Sequence, residues 1–157
     1  MRKKNQIVSV IGAFLTISLA LLLAGCQAPV ESDTNAEKAL EALGAKIVRD
    51  DNAPGKPITQ VQLANATDAN LKEVAGLKNL RSLDLAGTKV TDAGLKELAG
   101  LKSLSSLNLV GTPVTDAGLK ELAALKNLHI LNVNETQVTD AGEAELRKAL
   151  PYCQIQR

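Results

Sequence analysis

The sequence predicts an α/β solenoid, in which short strand–helix units stack on one another along the chain. Residues 67–90, 91–114 and 115–138 are copies of one 24-residue unit, identical at 17 of 24 positions in the first comparison and 16 of 24 in the second. Each unit contains aliphatic residues spaced for a short strand and begins with the signals of a short helix. A fixed period of this length is typical of stacked supersecondary units.

The chain opens with a segment that predicts export. Arg2, Lys3 and Lys4 precede an apolar run from residue 7 to residue 24, and Leu23-Ala24-Gly25-Cys26 follows. A basic start, an apolar run and small residues before a cleavage point indicate a signal peptide. The apolar run is also marginally long enough for an uncleaved membrane anchor, which is the alternative. Both interpretations attach the chain to a membrane and place the rest outside the cytoplasm.

The LAGC ending resembles the lipobox of bacterial lipoproteins. The resemblance implies that residues 1–25 are removed and that Cys26 is acylated, becoming the first residue of the mature chain. Several acyl chains anchor a protein stably, whereas one chain binds only weakly. The expected location is therefore the cell membrane or the outer membrane, with the domain facing the periplasm or the cell exterior.

Residues 26–33 are expected to form a flexible tether, and residues 34–63 an N-terminal cap for the stack. Thr34 and Glu37 fit a capping box that would start a helix at Thr34, and Gly44 suits its end. Ile47-Val48 suggests a short strand, the turn-forming DDNAPGKP follows, and Ile58 to Leu63 alternates as a strand does. End units of solenoids need such caps because their outer face has no neighbour.

The strand part of each repeat carries one motif. In the first unit it is Leu80-x-x-Leu83-x-Leu85-x-x-Thr88-x-Val90, and it recurs in register in the next two. The motif resembles the leucine-rich repeat, over about residues 58–157. The resemblance implies a right-handed coil with a parallel sheet on one face and helices on the other. It also implies that Thr, standing where the family has Asn or Cys, hydrogen-bonds backbone inside the coil.

The segment VTDAGLKELAGL, after each strand motif, predicts the helix of the repeat. Thr91 is a good N-cap, and Asp92 places negative charge at the positive end of the helix. The recurring Asp set is therefore interpreted as helix-capping. Leu95 and Leu98 lie three residues apart and are expected to point inward.

Residues 64–157 are assigned to the repeats and a C-terminal cap. Glu143 stands where earlier units have an inward leucine, and Ala144 is expected to take over that role. Ile155 lies 24 residues after Leu131, which predicts a last strand. Cys153 is expected to be a small buried apolar residue, because lipidation would consume Cys26 and leave it without a disulfide partner.

Composition argues against several functions. Without Arg2, Lys3 and Lys4 the chain has 15 Lys and Arg against 17 Asp and Glu. The two signs of charge are interspersed, so the sequence has no basic stripe that would bind nucleic acid. Tyr152 is the only aromatic residue after the signal, which leaves almost no stacking platform. His129 is the only histidine, and no Cys or His cluster accompanies it. We therefore expect no catalytic site, no metal site and no cofactor.

The remaining candidate is the exposed face of the sheet. In a strand whose leucines point inward, the alternate residues point outward. Arg81 and His129 precede two of the strands and join the same surface. The full candidate binding face is Gln60, Gln62, Arg81, Ser82, Asp84, Ser106, Asn108, His129, Ile130, Asn132 and Asn134.

The sequence therefore predicts a non-catalytic protein-interaction module of the bacterial cell envelope, with a protein partner of unknown identity and a monomer favoured. The alternative is a structural spacer or coat lipoprotein without a specific partner. The near-identical repeats support the alternative, because a face that varies little between units carries little information.

Overall fold

The computed structural model describes residues 31–157. The predicted signal peptide, Cys26 and the first part of the tether lie outside the described residues. Twelve elements follow in the order α1 (Glu31–Ala42), β1 (Lys46–Arg49), β2 (Ile58–Gln62), a 3₁₀ turn (Asp68–Asn70), α2 (Leu71–Val74), β3 (Ser82–Asp84), α3 (Asp92–Leu98), β4 (Ser106–Asn108), α4 (Asp116–Leu122), β5 (Ile130–Asn132), α5 (Asp140–Ala149) and β6 (Gln154–Gln156).

The N-terminal cap has the predicted elements, but its helix is longer than expected. Helix α1 begins at Glu31, so Thr34 lies inside it and is not its N-cap, and residues 31–33 are helical instead of belonging to the tether. A capping box marks one favourable start, and the polar residues before it contain no helix breaker. The helix ends as predicted at Gly44, whose φ is +72°. Its N–H bonds Glu41 O, and Ala45 N bonds Leu40 O, the pair of bonds that defines a Schellman motif.

All six strands form one sheet in chain order. Strand β1 is antiparallel to β2, and every later neighbour is parallel. Leu83, Leu107, Leu131 and Ile155 are direct register partners, which confirms the predicted last strand. Repeats 24 residues apart therefore stack without slippage from β3 onward.

The core is a continuous aliphatic column between the sheet and the helices. The inward leucines of the strands and of helices α3 and α4 are at most 1% exposed, as predicted for Leu95 and Leu98. Each fully buried aliphatic contributes about 1.5–3 kcal/mol before chain entropy is subtracted. A single coil covers only part of this surface, so its stability depends on its neighbours.

The threonines at the Asn or Cys position behave as the resemblance implies. Thr88 and Thr112 are 4% and 2% exposed. Their hydroxyls donate to Leu85 O and Leu109 O at 2.7 Å. The hydroxyl thus satisfies a backbone carbonyl within the coil, and the buried polar group has its partner.

The recurring aspartates lie in the first turn of their helices, as predicted for Asp92, but they do not cap those helices. The threonines are the caps: Thr91 and Thr115 accept hydrogen bonds from Ala93 N and Ala117 N. The first three carboxylates of the set each accept two bonds from the N-cap threonine of the following repeat, one from its N–H and one from its hydroxyl, whereas the fourth, Asp140, pairs with Arg157. The pairs are Asp68 with Thr91, Asp92 with Thr115 and Asp116 with Thr139, at 2.6–2.8 Å. We call this pairing the Asp–Thr clamp.

The Asp–Thr clamp predicts acid sensitivity. The Thr139 hydroxyl, and then its backbone N–H, lower the pKa of Asp116 below its ordinary value of 3.8. A lowered pKa in the folded state means that the stabilisation is complete above about pH 4 and is lost as the pH falls towards the folded pKa. We expect the difference in free energy of unfolding between wild type and Asp116→Asn, measured by denaturant titration, to be largest at neutral pH and to shrink in acid. Thr139→Val should also make the free energy of unfolding less dependent on acidic pH than it is in wild type. If both variants lost stability in acid as wild type does, the Asp116–Thr139 pair would not be the cause.

The C-terminal cap departs from the prediction at Ala144, which is exposed. It occupies the solvent position that Lys96 and Lys120 hold in earlier helices, and the helix does not rotate to bring it inward. Glu143 stays at the leucine position with its side chain 18% exposed and pairs with Arg147 at 2.6 Å and Arg157 at 3.7 Å. The end of the leucine column is thus covered by an ion-pair cluster.

Cys153 is 5% exposed and has a free thiol, as predicted. Burial raises the pKa of its thiol above the ordinary value. A buried thiol with a raised pKa is a poor nucleophile, because the thiolate is the reactive form. Cys153 therefore acts as a packing residue of the last coil.

Glu135 is held in an unfavourable backbone conformation. Its φ is +57°, and the two preceding repeats have Gly87 and Gly111 at this position, both with φ of +67°. A side chain costs about 1–2 kcal/mol in this left-handed region, whereas glycine adopts it freely. We expect Glu135→Gly to raise the free energy of unfolding by about 1 kcal/mol, measured by denaturant titration. Glu135→Ala is the control: it removes the carboxylate but keeps Cβ, so an equal gain there would refute the backbone explanation.

Candidate functional site

The candidate site is the solvent-facing side of the sheet, where the side chains form two rows across the strands. Register pairs Gln60, Ser82, Ser106, Ile130 and Gln154 in the first row. It pairs Gln62, Asp84, Asn108, Asn132 and Gln156 in the second. We call these the serine row and the amide row.

The amide row is organised around Asp84. Gln62 Nε2 donates to Asp84 Oδ2 at 2.9 Å, and Asn108 Nδ2 donates to Asp84 Oδ1 at 2.9 Å. The backbone N–H of Ala86 also donates to Oδ1, at 3.1 Å. One carboxylate on β3 therefore links the side chains of β2, β3 and β4.

The amide row continues towards the C-terminal end as a second group. Asn132 Nδ2 donates to Gln156 Oε1 at 3.2 Å, and Asn134 Nδ2 donates to Asn132 Oδ1 at 2.7 Å. Each side-chain amide carries two N–H donors, and these bonds use one from each group. The row therefore offers further donors to a ligand without breaking its own bonds.

The serine row is lower at its centre than at its ends. Ser82 and Ser106 are small and half-buried, while Ile130 is 45% exposed and Val48 of β1 is 49% exposed. Short side chains therefore lie between longer ones at β3 and β4, and we call this stretch of the row the trough. The trough runs beside Asp84, which lies two residues further along β3.

Arg81 and His129 lie where their strands begin, and both are exposed. Arg81 O accepts bonds from the backbone of Ser105 and Ser106 and from the Ser105 hydroxyl, at 2.8–2.9 Å. The Nδ1 atom of His129 contacts Asn127 O at 2.6 Å, which requires the proton on Nδ1 because a carbonyl only accepts. His129 is therefore the solvated strand-edge side chain that its isolation in the sequence suggests.

The structure brings the predicted residues onto one surface and adds four that the prediction omitted. Asp84, Asn108, Asn132 and Asn134 are half-buried. The omitted residues are Lys46 and Val48 of β1, and Gln154 and Gln156 of β6. The 24-residue period could have found the glutamines, which align with Ile130 and Asn132, whereas β1 lies outside the repeat and gave no such signal.

The helical side of the stack offers little chemistry. A groove of about 410 Å³ lies between α4 and α5, but its two carboxylates are engaged, Asp116 by Thr139 and Glu145 by Lys148. Within residues 31–157 no group of His, Cys, Asp and Glu is placed to hold a metal ion. No helix in that same part of the chain has the length and hydropathy needed to span a membrane.

Comparison with known proteins identifies the repeat. Residues 76–99 and 100–123 each match a family model described as Leucine Rich repeat. Each match begins in the turn after one helix and runs through a strand of the sheet face to the turn after the next helix. No curated protein matches the sequence.

Several solved structures are similar to part of this chain. A leucine-rich-repeat protein of Leptospira interrogans is 27% identical, with 55% of this chain and 27% of that chain covered and a TM-score of 0.41. Internalin C2 of Listeria monocytogenes is 23% identical, with 82% and 63% covered and a TM-score of 0.44. The ectodomain of the receptor kinase SOBIR1 from Arabidopsis thaliana is 11% identical, with 83% and 98% covered and a TM-score of 0.41.

The present chain spans about a quarter of the Leptospira chain and less than two thirds of the internalin chain. Leucine-rich repeats commonly act as protein-interaction modules and typically carry no catalytic site. Two observations establish the repeat architecture. The strands of the repeats are parallel, in register and alternate with helices, and two of the repeats match the family model. Residues 76–123 carry two leucine-rich repeats, and residues 31–157 fold as an α/β leucine-rich-repeat solenoid.

Proposed function

We propose that this chain is a non-catalytic protein-interaction module, held at the bacterial cell envelope by lipid on Cys26, that binds a protein partner through the exposed face of its sheet. The observation that carries the proposal is the continuous, mainly polar face of six strands, in which side chains of β2 to β4 and of β5 and β6 hydrogen-bond one another. Fixed side chains lose little conformational entropy when a partner binds. The LAGC sequence supports the attachment.

The binding surface can be tested by crosslinking in intact cells, followed by identification of the captured proteins. A chain carrying Asp84→Lys, Asn108→Lys and Asn132→Lys should lose a partner that binds this face. The matched control carries Glu97→Lys and Glu121→Lys on helices α3 and α4, which changes the net charge by the same amount on the opposite side. Retention of every captured protein by the first variant would refute binding at this face.

The same experiment separates the alternative, a structural spacer without a specific partner. The internal pairing of the amide row favours the alternative, because its side chains satisfy part of one another's hydrogen bonding without any ligand. A spacer predicts no saturable capture by the wild-type chain. Specific capture that the sheet-face variant abolishes would exclude it.

The attachment can be tested by separating membrane and soluble fractions. Cys26→Ser should release the chain from the membrane if the lipid on Cys26 holds it there. Cys153→Ser is the matched control, because it removes the other cysteine, and it should remain with the membrane. Membrane retention of Cys26→Ser would instead favour the uncleaved anchor.

A further inference from the structure

The Asp84 carboxylate has one hydrogen-bonding position left. A carboxylate offers about four acceptor sites. Gln62, Asn108 and the Ala86 N–H use three of them, two on Oδ1 and one on Oδ2. These three bonds come from β2, β4 and the turn after β3, so they hold the side chain from both sides and prevent its rotation. The remaining acceptor position, on Oδ2, is therefore fixed in space.

Asp84 also lacks a counter-charge in the described part of the chain. No Lys, Arg or His among residues 31–157 forms an ion pair with it; the ion pairs there involve Arg49, Lys56, Arg147, Lys148 and Arg157. Its direct neighbours in the amide row are the neutral amides of Gln62 and Asn108. The nearest cation in register is Lys46, one strand beyond Gln62, and it forms no ion pair with Asp84. The face thus presents a single half-exposed negative charge with a vacant acceptor position, which is complementary to one N–H donor of an ammonium or guanidinium group.

Ile130 provides a second feature at a defined distance. It lies in the serine row two strands from Asp84 and is 45% exposed, next to the small side chain of Ser106. Two strand spacings are about 10 Å, and two residues along a strand are about 7 Å, so the two side chains lie roughly 12 Å apart. An extended segment advances about 3.3 Å per residue, so residues three or four apart span this distance.

We propose that the sheet face binds an extended segment of a partner protein that carries a Lys or Arg three or four residues from a large apolar side chain. The cation bonds Asp84, and the apolar side chain occupies the trough over Ser106 against Ile130. This inference rests on the proposed function, and it specifies the chemistry of the partner. Charge complementarity selects the cation, and the spacing of the two features selects an extended segment over a single side chain.

The test is selection from a displayed library of random linear peptides on the immobilised full chain, followed by titration of the selected peptides. Wild type is expected to enrich peptides with a basic residue three or four positions from an aliphatic or aromatic one. Asp84→Asn should weaken their binding about tenfold or more, because a charge-assisted bond becomes a neutral one. Ile130→Ser should weaken binding severalfold, and added salt should weaken binding to wild type more than to Asp84→Asn. Glu97→Gln on helix α3 is the control for charge removal and should bind as wild type does.

Each result has a consequence. Enriched peptides without basic residues, or basic peptides that bind wild type and Asp84→Asn equally, would overturn the inference while leaving the proposed function intact. Equal loss of binding in Asp84→Asn and Glu97→Gln would also overturn it, because a general charge effect would then explain the result. Failure to enrich any peptide on wild type would count against both this inference and binding at the sheet face.

Discussion

Replacing Leu107 by Asp is expected to abolish the cooperative unfolding of the solenoid. Leu107 is 1% exposed at the centre of β4, with Leu83 and Leu131 as its register partners. A carboxylate at this point has no partner and must either lose its hydration or be protonated, and both cost free energy. The expected loss exceeds about 4 kcal/mol, a large part of the 5–15 kcal/mol typical of a domain.

The position of Leu107 in the middle of the stack makes the effect global. Each coil depends on its two neighbours for burial, so a defect in the central unit separates the coils on either side of it. Thermal unfolding followed by circular dichroism should show a broad, low-amplitude transition in place of a single cooperative one. Ser106→Asp is the matched control, since it adds the same charge one residue away on the solvent side, where its register partners Ser82 and Ile130 are uncharged. If Leu107→Asp unfolded as cooperatively as this control, the inward register of the leucines would be wrong.

The architecture was predictable because the same pattern of residues recurs in each copy of the repeat. One period of 24 residues gives the stacking, and the alternation around Leu83, Leu107 and Leu131 gives the face on which each side chain lies. Ile155 could be placed in a last strand by counting from Leu131. These inferences use only local periodicity, and every copy of the unit shows the same periodicity.

Contacts between units were harder to predict. The partner of Asp92 is Thr115, which lies 23 residues away and becomes a neighbour only when the coils stack. From the sequence alone, an Asp beside an N-cap threonine indicates capping, and capping was the wrong interpretation. One signal was present: the first unit reads TDAN where the next two read TDAG, and Asn70 has no aspartate of a preceding unit beside it.

In the candidate site, too, the orientation of side chains was predictable and the contacts between repeats were not. Alternation predicts which side chains face outward, and the structure places them in rows as expected. The bonds from Gln62 and Asn108 to Asp84 depend on side-chain lengths across three strands, which no periodicity reports. The uncompensated charge of Asp84 likewise becomes visible only when the positions of the described cations are known.

The Asp–Thr clamp explains the glycine in TDAG and leads to the second large effect. A Cβ added at Gly118 would lie 2.3 Å from Asp92 Oδ1 and 2.9 Å from Leu95 Cδ1. Two bonds from Thr115 hold the Asp92 carboxylate, so it cannot move aside without breaking the clamp. Alanine normally stabilises a helix interior relative to glycine by about 0.5–1 kcal/mol. Here we expect Gly118→Ala to lower the free energy of unfolding by about 1–3 kcal/mol, because overpacking outweighs that gain.

Two further variants isolate the cause of this loss. In Gly100→Ala the new Cβ would meet only the flexible end of Lys78, at 3.5 Å, so the same substitution should be nearly neutral. In a chain that already carries Asp92→Ala, Gly118→Ala should cost much less, because the principal obstacle is gone. Denaturant titration of the four combinations at positions 92 and 118 gives the coupling free energy between them. Strong coupling would show that this glycine is required by the clamp of the preceding repeat, whereas additive effects would assign it to the helix alone.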